Sequence, residues 1–442
     1  MIRIQRASHQ VPAMSGPGVL LAVVLATTAC DGVGTSNVSI DDLPQLVAEP
    51  TMRIGSLDDA ETGFSRIAYV DLDRDGNLYV GEGMDTQIRV YSPDGRLLRR
   101  IGGQGKGPGE FDGLPRFGVH GDTVWAYDNS ARRITLFSRA GELLSTAQVN
   151  EVRIPLPSGY GWVMPWSMRP DGRFSSDMMR LSFYRPDEDH PQVAHSANIP
   201  VPRVVFDLNG AVVDTVGWDP SPNPRMYSPP SPERESRYQR IEIGGRNFSV
   251  PDPPLTGPQW HTLNQGRLIL DMDVATSAEH ATFSVTRRAL SGDTVFSREY
   301  QYTPVPYAEA DLDSIAARAA RGAAGGGVPY SPGRENVPHD VQVVRNRLRE
   351  AMKFPGFHLP IRFGWVDQEE RLWLTREQPE GEAPRYVVLG TDGTPLGEVG
   401  LPAGTRLWYA SGDVVWTSQP DELDVPWLTS YRVSGLGPLN DR

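Results

Sequence analysis

Cysteine is nearly missing from this chain of 442 residues: Cys30 is the sole one, so no intrachain disulfide can form and stability must come from packing. Ten tryptophans and 39% apolar residues supply the material. Lysine is as scarce. Lys106 and Lys353 are the only two among 43 Lys+Arg, which leaves arginine to carry nearly all the positive charge. Arginine's planar fork suits carboxylate and phosphate recognition, although the codon usage of a GC-rich genome produces the same bias. Positive charge as a whole is in deficit, with a formal net charge of −12. That balance argues against a nucleic-acid partner, which requires a basic face. Long apolar runs are missing too. The run Val19 to Ala29 is too short to cross a bilayer as a helix.

What is present at the N-terminus is an address. Arg3 and Arg6 precede the apolar run, which ends in Thr-Thr-Ala-Cys. This resembles a bacterial lipoprotein signal peptide with its lipobox, except that Thr27 stands where Leu or Val is usual. The resemblance implies cleavage before Cys30, lipid attachment at Cys30, and a cell-envelope location, periplasmic or on the surface, with membrane contact through the lipid alone. Residues 1–30 are then signal peptide and lipobox. Residues 31–50, with Gly, Ser, Asn and Asp, read as a flexible tether.

From Phe64 onward the chain repeats. SRIAYVDLDRDGNLYVGEG and QIRVYSPDGRLLRRIGG each read strand, polar turn, strand. Four strands in about 40 residues is the length of a propeller blade. Further units span residues 111–149, 162–218, 259–302, 363–402 and 405–435, which makes six. A glycine marks the second turn of each: Gly95, Gly141, Gly210, Gly292, Gly393 and Gly435. The last unit is one strand short, while PTMRIGSL, residues 50–57, has no partner. An N-terminal strand completing the last blade closes a ring and removes an exposed edge. Two linkers interrupt the units. Residues 220–258 are rich in proline and arginine and read as an extended excursion. Residues 307–360 hold two helical patterns, Ala310–Arg321 and Asp340–Lys353, a helical insertion before blade five.

GGQGKGPGEF, Gly102 to Phe111, has the glycines and lysine of a phosphate-cradling loop. A Walker loop needs Ser or Thr after the lysine and a helix beyond it. Here Gly107 follows Lys106, and a strand unit comes next. Together with the Asp-Gly-Asn-Leu-Tyr-Val hairpin, the stretch resembles the inter-blade connector of NHL-type six-bladed β-propellers, many of them bacterial lipoproteins. The resemblance is strongest over residues 53–149. The expected fold is all-β, a six-bladed propeller over residues 51–435 with a C-terminal tail over 436–442.

Candidate sites are fewer. DLDRDGNLYVGE places Asp71, Asp73, Asp75, Gly76 and Glu82 at calcium-loop spacing, but the flanks alternate as strands, not helices. A hairpin turn capped by its own Asp and Asn side chains accounts for the same residues. Enzymes on this architecture hold zinc or calcium in the channel. His120, His261 and His358 come from three separate units and could supply zinc ligands, although no HxH or HxxxH pair exists. Nothing marks a nucleophile elbow. Trp162, Trp166, Trp260, Trp365 and Trp408 fall near inner strands, where they either pack blades or line a binding mouth for sugar or peptide. The expectation is a non-catalytic binding or interaction scaffold for a protein, peptide or glycan, with no assured cofactor. A calcium- or zinc-dependent lyase or hydrolase at the channel mouth is the alternative.

Overall fold

The computed structural model describes residues 38–59, 62–83, 85–113, 116–149, 154–156, 159–163, 165–180, 201–219, 238–243, 246–251, 257–263, 266–272, 275, 277–289, 292–325, 341–354, 356–379 and 381–436. Residues 1–37, with the expected signal peptide, Cys30 and the first part of the expected tether, lie outside the described residues. So do residues 437–442.

Six antiparallel sheets follow one another along the chain. Two short strands come first, β1 (Gln45–Leu46) and β2 (Ala48–Ile54). Blade one is β3 (Ile67–Leu72), β4 (Leu78–Glu82), β5 (Gln87–Tyr91) and β6 (Leu97–Gly102). Blade two is β7 (Arg116–His120), β8 (Thr123–Asp128), β9 (Arg133–Ser138) and β10 (Leu143–Gln148). Blade three is β13 (Ser167–Met168), β14 (Phe174–Arg180), β15 (Val201–Phe206) and β16 (Val212–Asp219), joined at β14 by a hairpin of β11 (Ile154–Leu156) and β12 (Gly159–Val163). The hairpin β17 (Tyr238–Ile243) and β18 (Arg246–Pro251) then precedes blade four, β19 (Gly257–Leu263), β20 (Gly266–Met272), β21 (Ala281–Arg288) and β22 (Thr294–Tyr302). Helices α1 (Glu309–Gly325) and α2 (Val341–Ala351) lead to blade five, β23 (Ile361–Val366), β24 (Leu372–Arg376), β25 (Arg385–Leu389) and β26 (Pro395–Gly400). Blade six is β27 (Arg406–Ser411), β28 (Val414–Pro420) and β29 (Pro426–Val433), with β2 as its fourth strand.

The closure is the one the spare strand predicts. β2 pairs antiparallel with β29, from Ala48 opposite Val433 to Ile54 opposite Leu428. Thr51 and Ser430 share a hydroxyl hydrogen bond of 2.8 Å across the seam, and Arg53 lies 4.0 Å over the Trp427 ring. The six turn glycines all have positive φ, between 81° and 95°. That is the left-handed region an L side chain disfavours.

Blades stack face to face, so their middle strands bury both faces. β4 and β5 are buried at every position, whereas the outer β6 is mostly part-exposed. Separate apolar clusters fill the gaps between blades one and two, two and three, four and five, five and six, and six and one. Arginine straps some of the same joints. Arg287 of blade four donates to the Glu370 carbonyl at 2.8 Å, and Arg371 of blade five donates to that of Gly412 at 2.6 Å.

Three turns share one device. Asp73 Oδ1 accepts the backbone N–H of Asp75 and Asn77, and Oδ2 accepts the Tyr79 hydroxyl at 3.3 Å. Asp367 does the same with Glu369, Arg371 and the Trp373 indole N–H at 2.8 Å. Asp421 repeats it with Leu423, Val425 and Trp427, the indole at 2.9 Å. One carboxylate thus closes the turn and pins an aromatic six residues on.

The structure adds elements at the linkers. Residues 38–50, expected as tether, are packed on the propeller. Ile40 is buried among blades four and five, Asp41 pairs with Arg376 at 2.7 Å, and β1 adds a parallel strand to β26. Ile40, Leu43 and Leu46, the Asp41 ion pair and the pairing of β1 together dock a segment whose composition reads as flexible. The second half of the proline-rich excursion is the β17–β18 hairpin, and it is not isolated. Ile243 and Phe248 pack with Ala316 and Ala320 of α1 and with Val344 and Leu348 of α2. Two linkers far apart in sequence therefore share one small core.

Candidate binding channel

The glycine-rich stretch is a connector between blades one and two. Gly105 N–H donates to the Phe111 carbonyl at 3.0 Å and Phe111 N–H to that of Gly103 at 2.8 Å. The Phe111 ring is fully buried between the blades. A Cβ on Gly102, whose φ is +77°, would sit 2.1 Å from that ring. Arg133 holds the loop from outside through the Lys106 and Glu110 carbonyls. The N–H groups of Gly105, Gly107, Glu110 and Phe111 are thus already bonded within the protein.

The calcium-spaced residues do not converge. Asp71 Oδ2 crosses to blade two and accepts the Val119 N–H at 2.8 Å, and its Oδ1 accepts the Leu72 N–H. Burial pushes its carboxyl up to about 6. Asp73 serves the turn and an ion pair with Arg139 at 3.2 Å, and Asp75 meets the same guanidinium at 2.6 Å. Glu82 is buried and accepts the N–H groups of Ser65 and Arg66. Each of these carboxylates thus has protein partners of its own, and Asp73 is the one that caps the hairpin turn. Among the described residues no group of three or more His, Cys, Asp and Glu side chains is placed to hold a metal ion.

The histidines separate. His120 ends the inner strand of blade two and lines the channel. His261 lies on β19, opposite Leu268 in register, and its side chain is outside the described residues. His358 precedes β23 and is buried instead beneath the helical insertion, 3.3 Å from Asp311 of α1 and stacked on Tyr307 at 3.7 Å. It is a packing residue of that junction.

The inner strands enclose a channel around the axis. Its middle is a cavity of about 650 Å³ that takes residues from blades one, two, three, five and six. Large aromatics dominate its wall: Tyr69, Trp166, Trp365, Trp408 and Tyr409. Burial raises the Tyr409 phenol well above its ordinary range, so it stays protonated. Toward the start of the inner strands the channel opens into a second space of about 720 Å³. Arg116, Trp365 and Trp408 face both spaces, and Arg362 and Arg406 join them in the second. Arg116 stacks over Trp166 at 3.9 Å and Arg406 over Trp408 at 3.7 Å. Burial lowers both guanidinium pKa values, with the Tyr69 hydroxyl in electrostatic reach of each.

Three of the sequence-selected tryptophans, Trp166, Trp365 and Trp408, thus reach the channel. The side chains of Trp162 and Trp260 are outside the described residues. Arg116 and Arg406 escaped the sequence reading. Their signal was present: each opens the inner strand of its unit, the position that faces the axis in a propeller.

Among solved structures, a Bacteroides fragilis protein provisionally labelled as exported aligns over 90% of this chain and 98% of its own, at 12% identity and a TM-score of 0.40. A Bacteroides vulgatus member of the DUF4221 family aligns over 88% and 98%, at 13% identity and 0.41. A virginiamycin B lyase from Staphylococcus aureus, solved with quinupristin, aligns over 87% and 98%, at 10% identity and 0.33. No curated protein matches the chain. Residues 57–156, which run from the start of blade one to β11, match the model of a family described as a 6-bladed beta-propeller, the architecture that the strand order of the ring displays.

Proposed function

We propose that the protein is an exported binding scaffold, anchored to the cell envelope by lipid on Cys30, that takes its ligand in the axial channel. The observation that carries the ligand site is the cavity of about 650 Å³ whose lining includes seven aromatic residues. Concave, mostly preformed spaces with aromatic walls and a few convergent polar groups are where small ligands bind. The anchor rests on the N-terminal residues alone. No helix among the described residues is long and apolar enough to cross a membrane.

A thermal-shift screen of glycans and short peptides on the purified full-length chain tests the site. At least one class should raise the melting temperature, and Trp365→Ala or Trp408→Ala should abolish the rise. A ligand whose effect survives both substitutions would move the site off the channel. For the anchor, labelled fatty acid should enter the wild-type chain and not Cys30→Ser; equal labelling sinks it.

A metal-dependent lyase or hydrolase is the second reading. What favours it is that Asp71, with a carboxyl raised to about 6, and His120 line one cavity. Stoichiometric zinc or calcium in the purified chain, lost on His120→Ala or Asp71→Asn, would put this reading first.

A further inference from the structure

In a chain of net charge −12, the second space of the channel takes three arginines, Arg116, Arg362 and Arg406, and no acidic residue into its wall. Arg362 has Glu377 within 4.0 Å. Arg116 and Arg406 make no ion pair and no hydrogen bond among the described residues. Each is stacked face-on against an indole, at 3.9 and 3.7 Å. Stacking covers the flat face of a guanidinium and leaves its in-plane N–H groups free, which is the geometry that grips a carboxylate or phosphate with two parallel hydrogen bonds. The two unpaired guanidinium edges therefore describe a wall that awaits an anionic guest.

We propose that Arg116 and Arg406 form an oxyanion subsite, and that the ligand of the channel is a small molecule carrying a carboxylate or phosphate beside a ring with an apolar face. The oxyanion accepts from the two guanidinium edges, while the ring lies against Trp365 and Trp408. Cations without a protein counterion gain most from an anionic guest, which supplies the charge-assisted hydrogen bonds the protein does not. This proposal rests on the channel being the ligand site.

The test is quenching of tryptophan fluorescence in the purified full-length chain. D-glucuronate and benzoate carry ring and carboxylate, glucose 6-phosphate carries ring and phosphate, and D-glucose and benzyl alcohol are the neutral controls. The anionic probes should bind at least tenfold more tightly than the neutral ones, and less tightly as salt rises. Arg116→Met and Arg406→Met should each weaken the anionic probes at least tenfold more than the neutral ones. Arg116→Lys and Arg406→Lys, which keep the charge but lose the fork, should fall between. Tighter binding of glucuronate than of glucose 6-phosphate assigns a carboxylate, and the reverse order assigns a phosphate.

Equal affinity for anionic and neutral probes, wild-type affinity in both methionine variants, or no binding of any anionic probe would each overturn the subsite. If neutral ligands still depended on Trp365 and Trp408, the channel would stand without the oxyanion. Loss of that dependence would instead remove the channel reading itself.

Discussion

Asp71 of blade one reaches into blade two and accepts the Val119 backbone N–H at 2.8 Å, a carboxylate tying two inner strands at the channel wall. Burial raises its pKa from 3.8 to about 6. Between those values the folded chain holds a proton that the unfolded chain has lost. Asp71 therefore favours folding below pH about 4, and that contribution is lost as pH rises through about 6. Asp71→Asn, which resembles the protonated form, should gain melting temperature relative to wild type on going from pH 5 to pH 7.5. A difference that stays flat across this window, measured by calorimetry, would show that Asp71 titrates normally.

Asp73 and Asp75 are adjacent in the calcium-like spacing and differ in duty. Asp73 bonds two backbone N–H groups, the Asn77 amide and the Tyr79 hydroxyl, whereas Asp75 is mostly exposed. Asp73→Ala should cost about 3 kcal/mol, because it strands buried donors. Asp75→Ala should cost under about 1 kcal/mol. Urea titration checks both, and excess calcium should leave the wild-type midpoint unmoved. A calcium-dependent rise that vanishes in Asp73→Ala would replace the turn with an ion site.

In the glycine-rich connector the glycine matters and the lysine does not. Gly102→Ala forces a side chain into the left-handed region and against Phe111, so a loss of about 2 kcal/mol or more is expected. Lys106 is 82% exposed in its side chain, and Lys106→Ala should fall within about 0.5 kcal/mol of wild type. Equilibrium unfolding of the two variants side by side decides this. Inorganic phosphate that protects the wild type but not Lys106→Ala would restore the phosphate-loop reading.

Ile54 sits at the closing seam, 3% exposed, opposite Leu428 in the partner strand. Ile54→Ala should cost about 2–4 kcal/mol, as truncation in a packed core does. If instead the variant unfolds with the wild-type midpoint, β2 does not hold the ring shut.

Much of the fold was legible because it repeats. A strand of period two, a turn glycine and a spare strand with a matching gap are local signals, and repetition multiplies them. The helices α1 and α2 showed by the same logic, through their period. The β17–β18 hairpin did not show, since its apolar residues Ile243 and Phe248 find their partners in helices some 70 to 100 residues away. Residues 38–50 stayed hidden for a similar reason: one buried isoleucine and one ion pair leave no periodic trace.

By itself the amino-acid sequence determined the blade count, the closure and the connector role of Gly102 to Phe111. Each depends on residues near one another in the chain, or on a pattern that recurs. Only the tertiary structure decided which side chains meet at the axis. It set Arg116 and Arg406 against Trp166 and Trp408 around Tyr69, and it sent His358 to the helical junction. A propeller brings one residue from each of several distant strands to its channel. The spacing of those residues along the chain carries no chemical pattern until the ring has closed.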